Sequence, residues 1–394
     1  MLLPIHAICS KGFETILAQE IENLISVKNI TKGKGSVFFY SNGASVLKLN
    51  LWARIPSRIL IQLGKTQVKN AKELYNFTKK ISWENWFDCS KSFKVDINGW
   101  GMPKDVSLRF ASLKVKDAIC DRFREKAGMR PNVETGKPDM RIWVNFENNL
   151  TTISIDTSGE SLFKRGWRKN KIDAPIKENL VAGLLAHTNW SPHNPLFDPM
   201  CGSGTFIIEA ASQSHGLPAN FNPVRKRKFA CDKFSKDSPF GGFDIKKLEA
   251  EALKSWQKAS KKPRFDIFFG RDIDENAIEI AKNNARLALP ESISQSISWE
   301  IGPIKDMSNS KFNISEKGTI VTNPPFGERL KIGGSPLLYE QFGELLRTKF
   351  SGWDVWILSN DKSNFYSEIK LKPSSKVKLF NGNLACTWSQ FKIF

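Results

Sequence analysis

The chain has 394 residues, 40% of them hydrophobic, enough for two or more domains with full cores. Its formal net charge is +19 with a pI near 9.6, and the excess is uneven: residues 1–172 carry 29 Lys+Arg against 16 Asp+Glu, residues 173–394 carry 30 against 24. That balance points the N-terminal half toward a polyanion. The six scattered cysteines include no C-x-x-C pair, and the four histidines keep no metal-ligand spacing with them. These features argue against a disulfide framework or a zinc site. The apolar run at the N-terminus is too short for a leader, and nowhere do eighteen apolar residues follow one another. A soluble, cytoplasmic protein without metal or membrane span is expected.

In chain order, residues 2–9 read as a strand and 12–24 as an amphipathic helix with Phe13, Ile16, Leu17, Ile21 and Leu24 on one face. A strand over 36–40, a helix over 44–51 and a strand over 57–64 complete an order that suggests a β-α-β-β-α-β, ferredoxin-like unit, residues 1–66. The pattern restarts over residues 67–160, with helices at 71–81 and 108–126 and strands at 92–97, 141–145 and 152–156. The longer helix is expected to turn Phe110, Leu113, Ala118 (or Val115) and Ile119 inward. Arg109, Lys114, Lys116, Arg122 and Arg124 are left for solvent. Residues 161–175 form a basic linker, where Arg165, Arg168, Lys169 and Lys171 surround Gly166 and Trp167. Positive charge interleaved with an aromatic suits a phosphate backbone and an unpaired base; an ordinary connector with solvated charges is the alternative.

Residues 176–394 read as a second α/β domain that opens with a helix over 176–185. The stretch LFDPMCGSGTFIIEA, Leu196 to Ala210, is a strand, a tight glycine turn and a helix, the recurrent nucleotide cradle of doubly wound sheets. It lacks the G-x-G-x-x-G spacing, and no Walker lysine follows Gly204. A basic excursion over 213–264, with Arg225-Lys226-Arg227-Lys228, is expected to be loop-like, to border the active site and to touch a polyanion. Alternation resumes with a strand at 265–269, then Asp272 and Asp274 before a helix over 275–287. A carboxylate at a strand tip suits a ribose diol; Asp274 is equally placed to cap its helix, so the ribose is assigned to Asp272. Strands follow at 298–301, with Asp306 just beyond, at 320–322, leading into Asn323-Pro324-Pro325-Phe326, and at 353–358. A hairpin of 377–381 with 384–392 closes a seven-stranded count.

DPMCGSGT and NPPFGERL lie 125 residues apart from Asp198 to Asn323. With ASLKVKDAI and RGWRKNKIDAPIKENL, they resemble the THUMP-domain class I S-adenosylmethionine-dependent RNA methyltransferases. The likeness is to those that modify guanine's 2-amino group in large-subunit ribosomal RNA. The resemblance implies a Rossmann-like methyltransferase domain preceded by a ferredoxin-like and THUMP RNA-binding region. It also implies S-adenosylmethionine held by Asp198, Pro199, Cys201, Gly202, Ser203, Gly204, Thr205, Asp272, Ile273, Asp306 and Asn323. Asp306 would meet the adenine amino group, and Asn323, Pro324, Pro325 and Phe326 would form the catalytic loop. RNA is assigned to Lys114, Lys116, Arg165, Trp167, Arg168, Lys169, Lys171, Arg225, Lys226 and Arg227. The implied partner is large-subunit ribosomal RNA or a pre-ribosomal particle. In some bacteria such an enzyme is the N-terminal half of a fused protein with a second methyltransferase domain. Phe326 stands where many relatives have Tyr, which leaves stacking intact.

The chemistry asks for placement. An exocyclic amine is conjugated into its ring and is a poor nucleophile toward a sulfonium methyl. The Asn323 side-chain oxygen and the Pro324 carbonyl can each accept one amine hydrogen, aiming the nitrogen lone pair at the methyl. The two prolines stiffen the loop, and Phe326 offers a face for an extruded base. Cys201 reads as a small turn residue, since no cysteine adduct is needed. Rival readings are a transfer-RNA guanine methyltransferase, a DNA adenine amino-methyltransferase, and a non-catalytic RNA-binding assembly factor with a relict methyltransferase fold, against which the intact glycine turn and Asn-Pro-Pro loop argue.

Overall fold

Two seven-stranded sheets organise the chain in the computed structural model, which describes residues 1–103, 106–168, 176–188, 190–241, 245–309, 317–325, 337–360, 365–382 and 384–394. The first half runs β1 (Leu3–Ile8), α1 (Glu14–Leu24), β2 (Lys28–Gly33), β3 (Ser36–Ser41), α2 (Gly43–Trp52) and β4 (Arg58–Gln67). It continues with α3 (Ala71–Lys80), β5 (Phe93–Trp100), α4 (Leu108–Ala127), β6 (Met140–Glu147) and β7 (Leu150–Asp156). Its sheet order is β2-β3-β1-β4-β7-β6-β5. The ten-residue β4 pairs with β1 at one end and with β7 along the rest, from Leu60↔Asp156 to Gln67↔Leu150. One sheet therefore runs through both of the units that the pattern separates at residue 66. Strand β2 has no counterpart in the periodicity, because its sequence, KNITKG, is polar and mostly exposed; it forms only by pairing with β3 at the sheet edge.

Helix α4 corrects one expectation. Its inward stripe is Ala111, Val115, Ala118, Ile119, Cys120 and Phe123, whereas Phe110 and Leu113 are 39% and 48% exposed. The small side chain of Ala111 lets the helix lie close on its neighbours, while the ring of Phe110 is covered by the Lys114 ammonium, 5.3 Å from its centroid.

The second half runs α5 (Glu178–Ala186), β8 (Leu196–Asp198), α6 (Thr205–Ser214), α7 (Ile245–Ser260), β9 (Phe268–Asp272), α8 (Glu275–Ala288) and α9 (Glu291–Gln295). Then come β10 (Ser298–Ile301), β11 (Thr319–Thr322), α10 (Leu338–Lys349), β12 (Asp354–Asn360), α11 (Phe365–Ile369), β13 (Ser375–Asn381) and β14 (Leu384–Lys392). Strand order is β10-β9-β8-β11-β12-β14-β13, parallel from β10 to β12, with β14 antiparallel to β12 and to β13. Strands β8 and β11 are buried at every position, which is why they read as unbroken apolar runs.

The basic excursion is also not what its composition suggests. It contains the sixteen-residue helix α7. Ahead of α7, the Cys231 N–H donates to the Thr157 carbonyl (3.1 Å) and the Ser235 N–H to the Trp86 carbonyl (2.8 Å). Phe229, Cys231 and Phe240 are buried, so this segment straps the second half onto the first sheet. A second seam lies between α1 and α5. A Cβ at Gly183 would come 2.2 Å from the Phe13 ring, so only glycine lets the two halves approach this closely. Among the described residues, no helix is long and apolar enough to cross a membrane.

Candidate active site at the carboxyl edge of the second sheet

Strands β8 and β9 are parallel with Asp198 level with Gly270, so Asp272 ends β9 two residues beyond Asp198. The turn after β8 is tied to that tip. The Gly202 N–H donates to Asp272 Oδ2 (2.8 Å), the Asp274 N–H to Asp272 Oδ1 (3.1 Å), and the Cys201 N–H to the Arg271 carbonyl (2.9 Å). Asn284 of α8 donates to the Ser203 carbonyl (3.1 Å). Gly204 starts α6 at φ +77°, and a Cβ there would meet the Trp299 ring at 2.7 Å and Ala281 at 3.0 Å. Both conformation and space thus demand glycine. Asp274 caps α8, accepting from the Asn276 N–H at 2.9 Å, while Asp272, held by the Gly202 and Asp274 N–H groups, is the carboxylate of the strand tip.

Asp198 and Pro199 are buried. Burial pushes the Asp198 carboxyl up to about 8; the Met200 N–H, 3.2 Å away, opposes this, and the charge of Asp272 adds to it. Burial likewise raises Asp272. The buried Cys201 thiol is held well above its usual value by burial and by both carboxylates, which suits an inert turn residue and not a nucleophile. Ser203 and Thr205 are buried in the turn. Beyond the strand tips, Ile273 is 62% exposed and Asp306 is exposed. An apolar face and two carboxylates on one rim are the parts that a nucleoside requires.

Sequence reasoning passed over Arg271. It is 4% exposed, forms an ion pair with Glu300, its cross-strand neighbour on β10, and donates to the carbonyls of Gly302 (3.1 Å) and Pro303 (3.2 Å). It thereby fixes the loop that presents Asp306. The readable signal was an arginine directly after the buried apolar run Phe268-Phe269-Gly270.

Strand β11 delivers the second motif to the same edge. Ile320 is level with Phe197, so Val321 lies beside Asp198 and Asn323 emerges just past it. Asn323 is half-buried, and its Oδ1 is buried with no hydrogen-bond partner among the described residues. A buried acceptor left unpaired costs about 1–3 kcal/mol, a cost that an incoming N–H donor removes. Pro324 is buried, and the Pro325 carbonyl accepts from the Tyr339 hydroxyl at 2.6 Å. Tyr339 of α10 was also missed. It is 2% exposed, packs edge-on against Phe365 at 5.1 Å, and pins the loop from outside its own sequence. Phe326 lies outside the described residues.

The basic cluster is placed differently from its expectation. The Arg165 side chain is 2% exposed. It pairs with Glu209 of α6 at 3.2 Å and donates to Asn220 (3.2 Å) and to the carbonyls of Arg54 (2.7 Å) and Leu162 (3.0 Å). Glu209 also meets Arg54 at 3.3 Å. Trp167 is 5% exposed beneath the Arg168 guanidinium. Arg168 in turn donates to the Thr205 hydroxyl (2.9 Å) and the Ile176 carbonyl (3.2 Å), and lies 3.6 Å from Glu178. Arg227 donates to the carbonyls of Glu160, Ser161 and Lys164, and burial lowers its guanidinium to about 10. These four are joints of the domain seam rather than a solvent-facing cationic surface. Glu209 lies 44 residues from Arg165, and Arg227 meets carbonyls 63 to 67 residues away, so the chain order could not show these joints. Lys226 remains exposed, Arg225, Lys114 and Lys116 are half-buried, and Lys169 and Lys171 lie outside the described residues.

Three family models match the chain: the RlmL ferredoxin-like domain over residues 4–60, the THUMP domain over 68–156, and the RMKL-like methyltransferase domain over 165–390. The chain is 34% identical over 391 residues to the ribosomal RNA large subunit methyltransferase K/L of Shewanella amazonensis, covering 98% of this chain and 52% of that protein. It thus spans about half the length of the curated relatives it matches. Among solved structures, a possible methylase from Clostridium difficile 630 superposes with a TM-score of 0.85 at 30% identity, covering 100% of this chain and 99% of that one. A putative methyltransferase complexed with SAH gives a TM-score of 0.80 at 29% identity, with 100% and 98% covered. With that methyltransferase model spanning more than half of the sequence and both motifs on one sheet edge, the protein belongs to the RMKL-like methyltransferase family.

Proposed function

We propose that this protein transfers a methyl group from S-adenosylmethionine to the exocyclic 2-amino group of a guanosine in large-subunit ribosomal RNA. The observation that carries the reading is the Oδ1 of Asn323 beside the Asp198 turn, buried and without a partner among the described residues. The S. amazonensis relative, named for ribosomal RNA, supports the substrate class. The cofactor supplies an electrophilic methyl on a sulfonium. Around it, Asp272 accepts the ribose hydroxyl hydrogens, Ile273 covers one face of the adenine, Asp306 meets its amino edge, and the 199–205 turn carries the remainder. Asn323 Oδ1 and the Pro324 carbonyl each accept one hydrogen of the guanine amine, turning its lone pair toward the methyl. The proton then leaves to solvent after transfer, with no strong base required. Phe326 stacks on the extruded base.

In this reading the chain divides into a ferredoxin-like region (1–66), a THUMP region (67–160), a linker (161–175) and the methyltransferase domain (176–394). Lys114, Lys116, Arg225 and Lys226 meet the RNA backbone. The test supplies labelled S-adenosylmethionine with ribosomal RNA from a strain lacking this gene, with transfer RNA, and with DNA, followed by nucleoside analysis. Label on guanine N2 of large-subunit RNA is the expected result. Label only in transfer RNA or on DNA adenine overturns the substrate assignment.

A further inference from the structure

The first sheet, the linker and the terminal hairpin meet around a cavity of about 570 Å³ that the methyl-transfer chemistry does not use. Its walls include Lys11 from the β1–α1 connection, Phe163 from the linker, Lys177 and Asn179 at the start of α5, and Phe380 from the tip of the β13–β14 hairpin. Volumes of this order hold a single small ligand. The two lysines are exposed, and each ammonium rests over a ring: Lys11 5.9 Å from the Phe380 centroid, Lys177 5.0 Å from that of Phe163. Asn179 is 3% exposed; its Nδ2 donates to the Ile55 carbonyl, and its buried Oδ1 has no partner among the described residues.

Register places this cavity on the catalytic edge. Thr322 of β11 is level with Ile357 of β12, and Ile357 with Ser389 of β14. Strand β14 is antiparallel to β12, so the hairpin tip at Gly382 stands about 20 Å beyond that level, on the side where Asn323 and the glycine turn emerge. The start of α5 lies on the same side: Arg168 bridges Glu178 to Thr205, the first residue after the turn.

We infer that this three-walled cavity is a second nucleotide subsite, which takes one unpaired RNA nucleotide a few positions along the strand from the target guanosine. A phosphodiester draws Lys11 and Lys177 off their rings, the bared Phe380 and Phe163 faces stack the base, and Asn179 Oδ1 accepts an N–H from its edge. Two cations, two aromatic faces and an unused buried acceptor around one space match an unpaired nucleotide better than a duplex, which presents no free base face. The subsite holds the strand a few nucleotides from the reacting base and so acts on RNA binding rather than on methyl transfer itself.

The inference rests on the RNA reading above, and its test separates the two. The full chain and its Lys11→Ala, Phe380→Ala and Phe380→Tyr variants are assayed on unmodified large-subunit ribosomal RNA. Equilibrium RNA binding, methyl-transfer kinetics and calorimetric S-adenosylmethionine binding are measured in parallel. Expected are about a tenfold rise in RNA Kd and KM for Phe380→Ala, a smaller rise for Lys11→Ala, and recovery in Phe380→Tyr, with kcat and cofactor affinity unchanged. RNA carrying 4-thiouridine should crosslink to peptides holding Phe163 or Phe380. Unchanged Kd and KM, or crosslinks confined to other segments, overturn the subsite. RNA binding that depends on Phe380 without any methyl transfer by the parent chain keeps the subsite and overturns the proposed reaction.

Discussion

The carboxyl edge of the second sheet and the basic linker look alike in sequence, each a dense cluster of chemistry-bearing residues, yet they fold to opposite ends. At the edge, groups are left open: Asn323 Oδ1 has no partner among the described residues, the Asp306 carboxylate and the apolar Ile273 are exposed, and Asp198 is buried with a raised carboxyl. Among the described residues of the linker the two arginines are consumed, Arg165 by Glu209 and Arg168 by Glu178 and Thr205. Density of charge says little about function. What separates a site from a joint is whether the fold has already satisfied the groups it gathers.

The largest effect should come from the joint. Arg165→Ala strands the buried Glu209 with Arg54 alone and is expected to cost about 3–5 kcal/mol of stability, read as a shifted urea midpoint. A wild-type midpoint with weakened RNA binding would return Arg165 to the RNA surface. At the edge, Asn323→Ala should lower kcat about 10²–10³-fold, the size seen when one preorganised polar partner of a transition state is lost, while RNA Kd stays put and the midpoint does not fall, since an unpaired buried acceptor is removed. Parallel losses of stability or of RNA binding would mark Asn323 as another joint.

Asp198 offers a pH test. Its carboxyl is raised from 3.8 to about 8, so the folded protein favours the neutral form. The associated stability is complete below pH about 4 and is lost as pH rises through about 8. The ionised form suits a cationic sulfonium ligand. S-Adenosylmethionine affinity should therefore rise up to about tenfold per pH unit from pH 6 and level off above about 8. Calorimetry on Asp198→Asn should show a flat profile; a slope that survives the substitution assigns the titration elsewhere. The smallest effect is expected from Tyr339→Phe, which removes the hydroxyl held by the Pro325 carbonyl. It should cost about 1 kcal/mol and slow turnover a few-fold with unchanged cofactor affinity. A Tyr339→Phe turnover equal to wild type would show that the loop needs no outside pin.

Much of the second sheet was legible, because buried parallel strands are short apolar runs that end in distinctive turns: LFD before the glycine turn and TIVT before Asn-Pro-Pro. The capping role of Asp274 was legible for the same local reason. Less legible was α4, where Phe110 and Leu113, among its larger apolar residues, lie on the wet side. Helix periodicity gives a stripe but not which neighbour covers it. Strand β2 was invisible, since its polar residues become a strand only through hydrogen bonds supplied by β3.

By itself, then, the sequence determined what depends on near neighbours in the chain: the alternation of strands and helices, the glycine turn, the Asn-Pro-Pro loop and a family resemblance that the comparisons bear out. Tertiary structure alone decided which charges remain free, since Glu209 lies 44 residues from Arg165. It also decided that β4 and β7 join two N-terminal units in one sheet, and that Tyr339 and Arg271 hold the two loops of the site. Ion pairing, burial and register act across space, and a linear pattern records only their endpoints.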